Sequence, residues 1–208
     1  MITAIDIVID PDPEMISKAE AANARLLKEY KNGFSLDSDH CPHISALQRY
    51  VQTNKLDNIY DAVGIILANE KISAWKLRAY SYYYLPYKNF GVAGIVIEPN
   101  DDLLRLQQKL IEAAVPFTVK IGDASAYVTS PEEPDINQPT IDYVASYVPM
   151  QTGKKFNPHV TIGIAPEDFL KEMLAEPFEE FIFSPSGISV YQLGNFGTAM
   201  KKLKSWTL

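Results

Sequence analysis

The 208-residue sequence predicts an α+β fold with mainly antiparallel sheets. Two observations support this class. Segments with the alternation of strands and segments with the periodicity of helices are interleaved along the chain, and several neighbouring strands are joined by short loops. Short loops connect antiparallel strands, whereas parallel strands need long crossovers, so a doubly wound parallel sheet is disfavoured. With 47% hydrophobic residues the chain can bury one core, and we expect a single domain over residues 1–208.

The first half of the chain is predicted to begin with a strand and a helix. Ile2 to Ile9 is rich in β-branched residues with loose apolar–polar alternation, which indicates a strand. The run Asp10-Pro11-Asp12-Pro13 interrupts this strand and supplies a helix start, so we expect a helix from about 13 to 30, ended by Asn32-Gly33. The same signals predict a strand over Ile44–Val51, a helix over about 55–69, and strands over Trp75–Tyr87 and Gly91–Ile97.

The second half is predicted to continue in the same way. Pro99-Asn100-Asp101-Asp102 provides the cap of a helix that runs to about 114. Prolines and acidic residues between 129 and 139 predict a loop. The remaining predicted elements are a helix over about 140–149, a strand over Val160–Ile164, a short helix over Pro166–Leu174, and two or three strands between Phe181 and Trp206.

Charge limits the kinds of ligand that the protein can bind. The formal net charge is −7, from 26 acidic and 19 basic side chains. Proteins that bind a long phosphate backbone usually have the opposite balance, because Lys and Arg displace its counterions. We therefore expect no extensive nucleic-acid surface. A local pocket for a small phosphorylated ligand or for a single RNA end is compatible with this charge.

The sequence also carries expectations about compartment and assembly. No window approaches the ~20 apolar residues of a membrane span. The N-terminus meets Asp6 and Asp10 early and has no basic region, which is unlike a signal peptide. Cys41 is the only cysteine, which excludes an internal disulfide and a multi-cysteine zinc site. We expect a cytoplasmic, monomeric protein that does not contact a membrane.

Two of the three histidines occur in nearly identical sequence frames. One frame is Cys41-Pro42-His43-Ile44-Ser45-Ala46-Leu47, and the other is Asn157-Pro158-His159-Val160-Thr161-Ile162-Gly163. In each frame a proline precedes the histidine and a hydroxyl residue follows two positions later. A lone histidine is usually structural, but a duplicated frame indicates a shared chemical role.

Each frame lies at the start of a predicted strand, where residues two apart share a face. His43 therefore shares a face with Ser45, and His159 shares one with Thr161. The opposite face of the second strand is then expected to hold the apolar residues Val160, Ile162 and Ile164. We expect the imidazole–hydroxyl pairs to lie away from the layer of helices.

The chemistry of such pairs is specific. Imidazole titrates near neutrality, so one histidine can accept a proton while the other donates one. Hydroxyls beside the rings can donate hydrogen bonds to phosphoryl oxygens and hold the group between them. This arrangement suits attack of water or of a hydroxyl on a phosphodiester, and it requires no metal or other cofactor.

The two Pro-His-x-[Ser/Thr] segments resemble those of the 2H phosphoesterase superfamily, and most closely its bacterial 2′-5′ RNA ligase-like, or cyclic phosphodiesterase, branch. Further runs that support the resemblance are Ala4-Ile-Asp-Ile, Pro11-Asp12, Phe34-Ser-Leu-Asp37, Gln48-Arg-Tyr-Val51 and Phe156 through Ile164. The resemblance implies a bilobal fold with pseudo-two-fold symmetry, in which two mainly antiparallel sheets face a central cleft and helices lie outside.

The resemblance also implies an activity and its residues. The activity is metal-independent hydrolysis of a 2′,3′-cyclic phosphate or a related phosphodiester of a nucleotide or RNA end, with reversible 2′-5′ ligase activity and a place in RNA processing. His43 and His159 match the catalytic histidines, and Ser45 and Thr161 match the hydroxyls that hold the phosphate. Neither a metal nor a cofactor is implied. Which histidine is the acid stays open.

The residues alone leave two other classes of function open. A non-catalytic module on the same fold would bind a nucleotide or phosphate with the same four residues. An unrelated hydrolase would use Cys41 as a nucleophile beside His159, or a metal held by His40, Cys41 and His43. Nothing around Cys41 indicates a stabilised thiolate, and the spacing matches no common metal motif.

The tyrosine-rich run that ends at Tyr87 permits two interpretations. Aromatic side chains stack on bases in many nucleic-acid sites. Tyrosine is also a good strand residue, so packing within the sheet is the expected role of most of the run. Tyr84 and Tyr87 are the candidates for stacking against a base.

Overall fold

The computed structural model describes residues 1–37, 40–131 and 133–208, and within these ranges the chain forms nine strands and five helices. The strands are β1 (Ile2–Pro11), β2 (Ile44–Gln52), β3 (Leu77–Tyr87), β4 (Phe90–Ile97), β5 (Thr118–Val119), β6 (His159–Pro166), β7 (Phe181–Phe183), β8 (Pro185–Leu193) and β9 (Ala199–Thr207). The helices are α1 (Pro13–Glu29), α2 (Leu56–Ala68), α3 (Asp101–Ala114), α4 (Gln138–Met150) and α5 (Glu167–Ala175). The predicted α+β class is confirmed. None of the helices in these ranges is long and apolar enough to cross a membrane.

The predicted elements are present with shifts of a few residues at their ends. The third strand begins at Leu77 rather than Trp75, because Ile72–Ala74 form a 3₁₀ turn before it. The two-residue strand β5 was not predicted, since two residues are too few to show a periodicity. Glu132, which belongs to the predicted loop over 129–139, lies outside the described residues.

Side-chain caps fix where three of the helices begin. The Asp12 carboxylate accepts a hydrogen bond from the Met15 N–H at 3.2 Å, and Pro13 occupies the first position of α1. Asn100 and Asn137 cap α3 and α4 in the same way, at 2.9 and 2.8 Å. Each cap satisfies an N–H that a helix start leaves unpaired, which is worth ~1 kcal/mol.

The strands form one continuous sheet in the order β7-β3-β4-β6-β2-β1-β8-β9, with β5 beside β2. Every pairing is antiparallel. The two predicted sheets are the halves β7-β3-β4-β6 and β2-β1-β8-β9 of this sheet. A single register pair, Ile44 opposite Val160, joins the halves, and we call this contact the seam. The strands that carry the two histidine frames are therefore neighbours at the centre.

The helices cross between the halves. Helix α1 follows β1 in one half of the sheet but packs against β6 in the other. Helix α3 follows β4 but packs against β2, together with α4. The exchange is reciprocal, which is consistent with the pseudo-two-fold arrangement that the resemblance implied. It also places a helix from the opposite half behind each strand that carries a histidine frame.

Candidate active site

Each histidine lies at the beginning of a central strand and is held by its own backbone. Nδ1 of His43 lies 2.7 Å from the carbonyl oxygen of Cys41, and Nδ1 of His159 lies 2.7 Å from that of Asn157. Because a carbonyl oxygen only accepts hydrogen bonds, the proton of each neutral ring must be on Nδ1. Nε2 is therefore the atom of each ring that can accept or donate a proton toward a ligand.

A β-bulge follows the hydroxyl residue in both histidine strands. Ala46 in β2 and Ile162 in β6 are extra residues without a partner in the neighbouring strand. The carbonyl of Ala46 accepts a hydrogen bond from the Gln107 side chain of α3 at 3.1 Å. The carbonyl of Ile162 accepts one from the Asn23 side chain of α1 at 2.8 Å. A buried amide from a helix thus satisfies the carbonyl that each bulge removes from the sheet.

The bulges reverse the alternation of side chains beyond Ser45 and Thr161. Gln48, rather than Leu47, faces the same side as Ser45 and lies opposite Asp6 in the register of β1 and β2. In β6, Ile164 lines the cavity. The prediction that Ile164 lies on the same side as Val160 and Ile162 was wrong, because regular alternation ends at the bulge.

One cavity of about 270 Å³ brings the predicted site residues together. His43, Ser45, His159 and Thr161 all line it, and the two imidazoles are close enough for a charge on His43 to influence His159. Aromatic side chains form much of its wall: Phe34, Tyr83, Tyr87, Tyr143, Phe156 and Phe196.

The structure separates the two tyrosines that were predicted to stack on a base. Tyr87 lines the cavity, with its ring 6.2 Å from that of Phe196. Tyr84 lies on the other face of β3, where its hydroxyl donates a hydrogen bond to Glu167 of α5, so it does not reach the cavity. Tyr83 faces the cavity instead, with its ring 4.7 Å from that of His159. The sequence did not reveal which set of alternate residues in β3 faces the cavity.

His40 and Cys41 also lie in the cavity wall. The His40 ring stacks on Phe34, with the ring centres 4.8 Å apart, and its Nδ1 lies 3.1 Å from the Asp37 carboxylate. His40 was predicted to be a surface or supporting residue, and these contacts agree with a supporting one. In the part of the chain that the structure describes, no group of three or more His, Cys, Asp and Glu side chains is arranged to hold a metal ion.

Asp6 is a site residue that the sequence analysis did not identify. It is fully buried in β1, and its Oδ2 lies 3.8 Å from Nε2 of His43. The Ser45 hydroxyl donates a hydrogen bond to Oδ2 at 2.5 Å, and the Gln48 amide donates one to the same oxygen at 2.9 Å. An acidic residue within the otherwise apolar run from Ala4 to Ile9 was the available signal, because a buried carboxyl needs partners.

Burial shifts the pKa of two groups in opposite directions. It raises the pKa of Asp6 from 3.8 to about 6, although the charge of His43 and the hydrogen bonds from Ser45 and Gln48 oppose this rise. It lowers the pKa of His159 to about 4, aided by the positive charge of His43 and opposed by the bond to the Asn157 carbonyl. His159 is therefore a neutral imidazole at neutral pH and can accept a proton.

Solved structures share this fold. TT0787 of Thermus thermophilus has a TM-score of 0.58 and 16% identity, over 99% of this chain and 98% of that chain. LigT of E. coli complexed with ATP has a TM-score of 0.52 and 14% identity, over 100% and 99%. No protein-family model and no curated protein matches the sequence. At these identities the likeness is one of fold, and it confirms that the chain has the 2H phosphoesterase fold.

The replacement Asp6→Asn tests the burial of this carboxyl. Because its pKa in the folded protein is about 6, against 3.8 for the free side chain, the stability that its proton contributes is complete below pH 3.8 and is lost as pH rises through 6. The difference corresponds to about 3 kcal/mol. We expect the free energy of unfolding of Asp6→Asn, relative to wild type, to increase by roughly 2–3 kcal/mol between pH 4 and pH 7 in urea titrations. A difference that stays constant over this range would contradict the assignment.

Proposed function

We propose that the protein is a metal-independent phosphodiesterase of the 2H type. It opens a 2′,3′-cyclic phosphate, or a related phosphodiester of a nucleotide or RNA end, by acid–base catalysis between His43 and His159. The observation that carries the proposal is the seam. It places two strands with the same histidine frame side by side, and both imidazoles line one cavity.

The environments of the two rings suggest which is the base and which is the acid. His159 is neutral at neutral pH, so its Nε2 can accept a proton from the attacking water. His43 is the other imidazole of the cavity, so with His159 as the base it is the group that can protonate the leaving oxygen. We therefore assign His159 as the base and His43 as the acid in hydrolysis.

The proposed reaction is an in-line displacement at phosphorus. His159 takes a proton from water while the oxygen of that water forms a bond to phosphorus. The bond from phosphorus to one ribose oxygen breaks, and His43 protonates that oxygen. The Ser45 and Thr161 hydroxyls hold the non-bridging oxygens. In ligation a ribose hydroxyl of a second nucleotide replaces water as the nucleophile, so His159 again takes the proton of the nucleophile and His43 again protonates the ribose oxygen that leaves. Cleavage of the linkage formed in this way exchanges the roles of the two rings.

Two observations support a nucleotide as the ligand. The aromatic side chains of Tyr83 and Tyr87 line the same cavity as the histidines, and aromatic rings stack on bases. A protein with this fold, E. coli LigT, has been crystallised with ATP. The ribose and base of a cyclic nucleotide would then lie toward the aromatic wall, with the phosphate between the imidazoles.

Phosphorus NMR of adenosine 2′,3′-cyclic phosphate in the presence of EDTA tests the function. We expect wild type to convert the cyclic signal to that of a monoester. His43→Ala and His159→Ala should each lower the rate about 100-fold or more, the usual contribution of a general acid or base. The position of the phosphate in the product identifies which ribose oxygen leaves.

Ser189→Ala is the matched control for these variants. Ser189 is fully buried in β8, where its hydroxyl donates to Asp10 outside the cavity, so its loss removes a buried polar contact of the same sheet. This variant should retain a rate near that of wild type. Histidine variants that also retain wild-type rates would refute the mechanism. Saturable binding without turnover by wild type would instead identify a non-catalytic nucleotide-binding module.

A further inference from the structure

The cavity wall is almost without charge. Among the described residues that line it there is no Lys, Arg, Asp or Glu, and the cations that it can offer are protonated histidines. The three undescribed residues, Ser38, Asp39 and Glu132, would add no cation. Away from the imidazoles the wall is largely apolar, for example at Leu85 and Val92.

Lys88 and Lys155 each neighbour a cavity residue in sequence, but neither lines the cavity. Nζ of Lys88, in the turn after β3, lies 5.4 Å from the centre of the Tyr87 ring. Lys155, which precedes the second histidine frame, donates to the Pro149 carbonyl at 3.0 Å. The N-terminus of α4 reaches the cavity, but the Asn137 side chain binds the Thr140 N–H and Pro139 has no N–H.

We propose that the substrate carries one negative charge, that of the reacting phosphodiester, on an otherwise uncharged group of nucleoside size. This inference rests on the proposed function. A second phosphate would lose its hydration in an apolar cavity that offers it no cation. The net charge of −7 would also repel it before binding. A cavity of about 270 Å³ is small for a ligand site, which agrees with a mononucleotide.

Paired substrates test the inference. We compare kcat/KM for adenosine 2′,3′-cyclic phosphate with kcat/KM for the same compound carrying a 5′-phosphate. We expect the 5′-phosphorylated substrate to be at least about tenfold poorer, and the gap to narrow as NaCl screens the repulsion. Equal values, or a preference for the 5′-phosphorylated substrate, would overturn the inference while leaving the proposed function intact.

A variant at the cavity rim gives a second measurement. Leu85 is 50% exposed, so a longer polar side chain can be accommodated there. Leu85→Lys should raise the ratio of kcat/KM for the 5′-phosphorylated substrate to kcat/KM for adenosine 2′,3′-cyclic phosphate. The expected increase is several-fold, because an ion pair at a solvent-exposed site is weak. Leu85→Gln is the matched neutral control and should not change the ratio.

If neither compound is turned over, the proposed function is refuted, but binding experiments can still test the inference. Calorimetric titrations then compare adenosine 2′-monophosphate with adenosine 2′,5′-bisphosphate. Weaker binding of the bisphosphate supports a cavity that admits one charged group. Equal or tighter binding of the bisphosphate overturns it.

A separate observation concerns the hydroxyl proton of Ser45. The hydroxyl has one proton, and it is donated to Oδ2 of Asp6, so it is not available to a phosphoryl oxygen. Oδ1 of Asp6 and Oε1 of Gln48 are both buried and have no hydrogen-bond partner among the described residues. Two unsatisfied buried acceptors within one network indicate that it has room for one more proton.

The structure assigns Asp6 as a positioning residue that is a carboxylic acid when the phosphodiester binds. Its O–H then supplies a missing donor, and the Ser45 hydroxyl is released to turn its proton toward the phosphoryl oxygen. Neutral Asp6 also removes the repulsion between a buried carboxylate and the incoming anion. This second proposal likewise rests on the proposed function.

The groups that face Asp6 define its titration. His43 lies beside it at the start of β2, Tyr143 and Tyr147 approach from α4, and Tyr191 of β8 is its register partner. Burial raises the pKa of all three tyrosines, that of Tyr143 to about 12, so they are neutral at pH 5–9. Asp6 is therefore the acidic side chain of this cluster whose protonation changes in that range.

The pH dependence of KM for adenosine 2′,3′-cyclic phosphate tests this role, because the charge of that diester is constant between pH 5 and 9. For wild type we expect KM to rise as pH increases above the titration of Asp6, by up to about tenfold per pH unit for one proton. Asp6→Asn mimics the protonated acid and should retain activity with a KM that is less dependent on pH. Asp10→Asn removes a carboxyl on the same strand that accepts from Ser189, and it should keep the wild-type profile.

A merely structural Asp6 would give a different result. An Asp6→Asn protein that is folded by circular dichroism but keeps the wild-type pH profile of KM, or is inactive, would overturn the proposal. The number of protons taken up when the ligand binds tests the same role without turnover, and calorimetry in two buffers measures it. Wild type should take up more protons than Asp6→Asn on binding the diester, and equal uptake would overturn the proposal.

Discussion

The pairing of Ile44 with Val160 at the seam is the contact on which the site depends. Both residues are fully buried, and each directly follows one of the two site histidines. One register pair thus sets the separation of the two imidazoles and makes their strands neighbours. A slip of one residue on either side would turn a histidine to the opposite face, where α1 and α3 pack.

The bulges adapt both strands to this arrangement. A regular strand would keep Leu47 and Gly163 on the side of the histidines, whereas the bulges at Ala46 and Ile162 place Gln48 and Ile164 there. Each bulge frees a carbonyl, and an amide from a helix that crosses between the halves binds it. The exchange of α1 and α3 therefore does more than cover the sheet, since it satisfies the backbone at the two places where the site departs from regular pairing.

The sequence predicted the local features well, because they depend on residues close together in the chain. Helix starts at Asp12, Asn100 and Asn137 and the shared face of each imidazole and hydroxyl follow from capping and alternation. Features set by distant pairing were not predictable. The seam, the bulges and the partners of Asp6 depend on register between strands far apart in sequence. The choice of Tyr83 over Tyr84 depends on which face of β3 the assembled sheet turns to the cavity. An acidic residue in an apolar strand signals a buried network, but it does not identify the partners.

The two histidines are proposed to act together on one phosphodiester, and a double-variant comparison measures this coupling. The measurement is kcat/KM for adenosine 2′,3′-cyclic phosphate with His43→Ala, His159→Ala and the protein that carries both changes. We expect the double variant to be about as slow as the slower single variant, because residues that act as a unit have strongly non-additive effects. Losses that multiply in the double variant would show that the two rings act independently, contrary to the proposed mechanism.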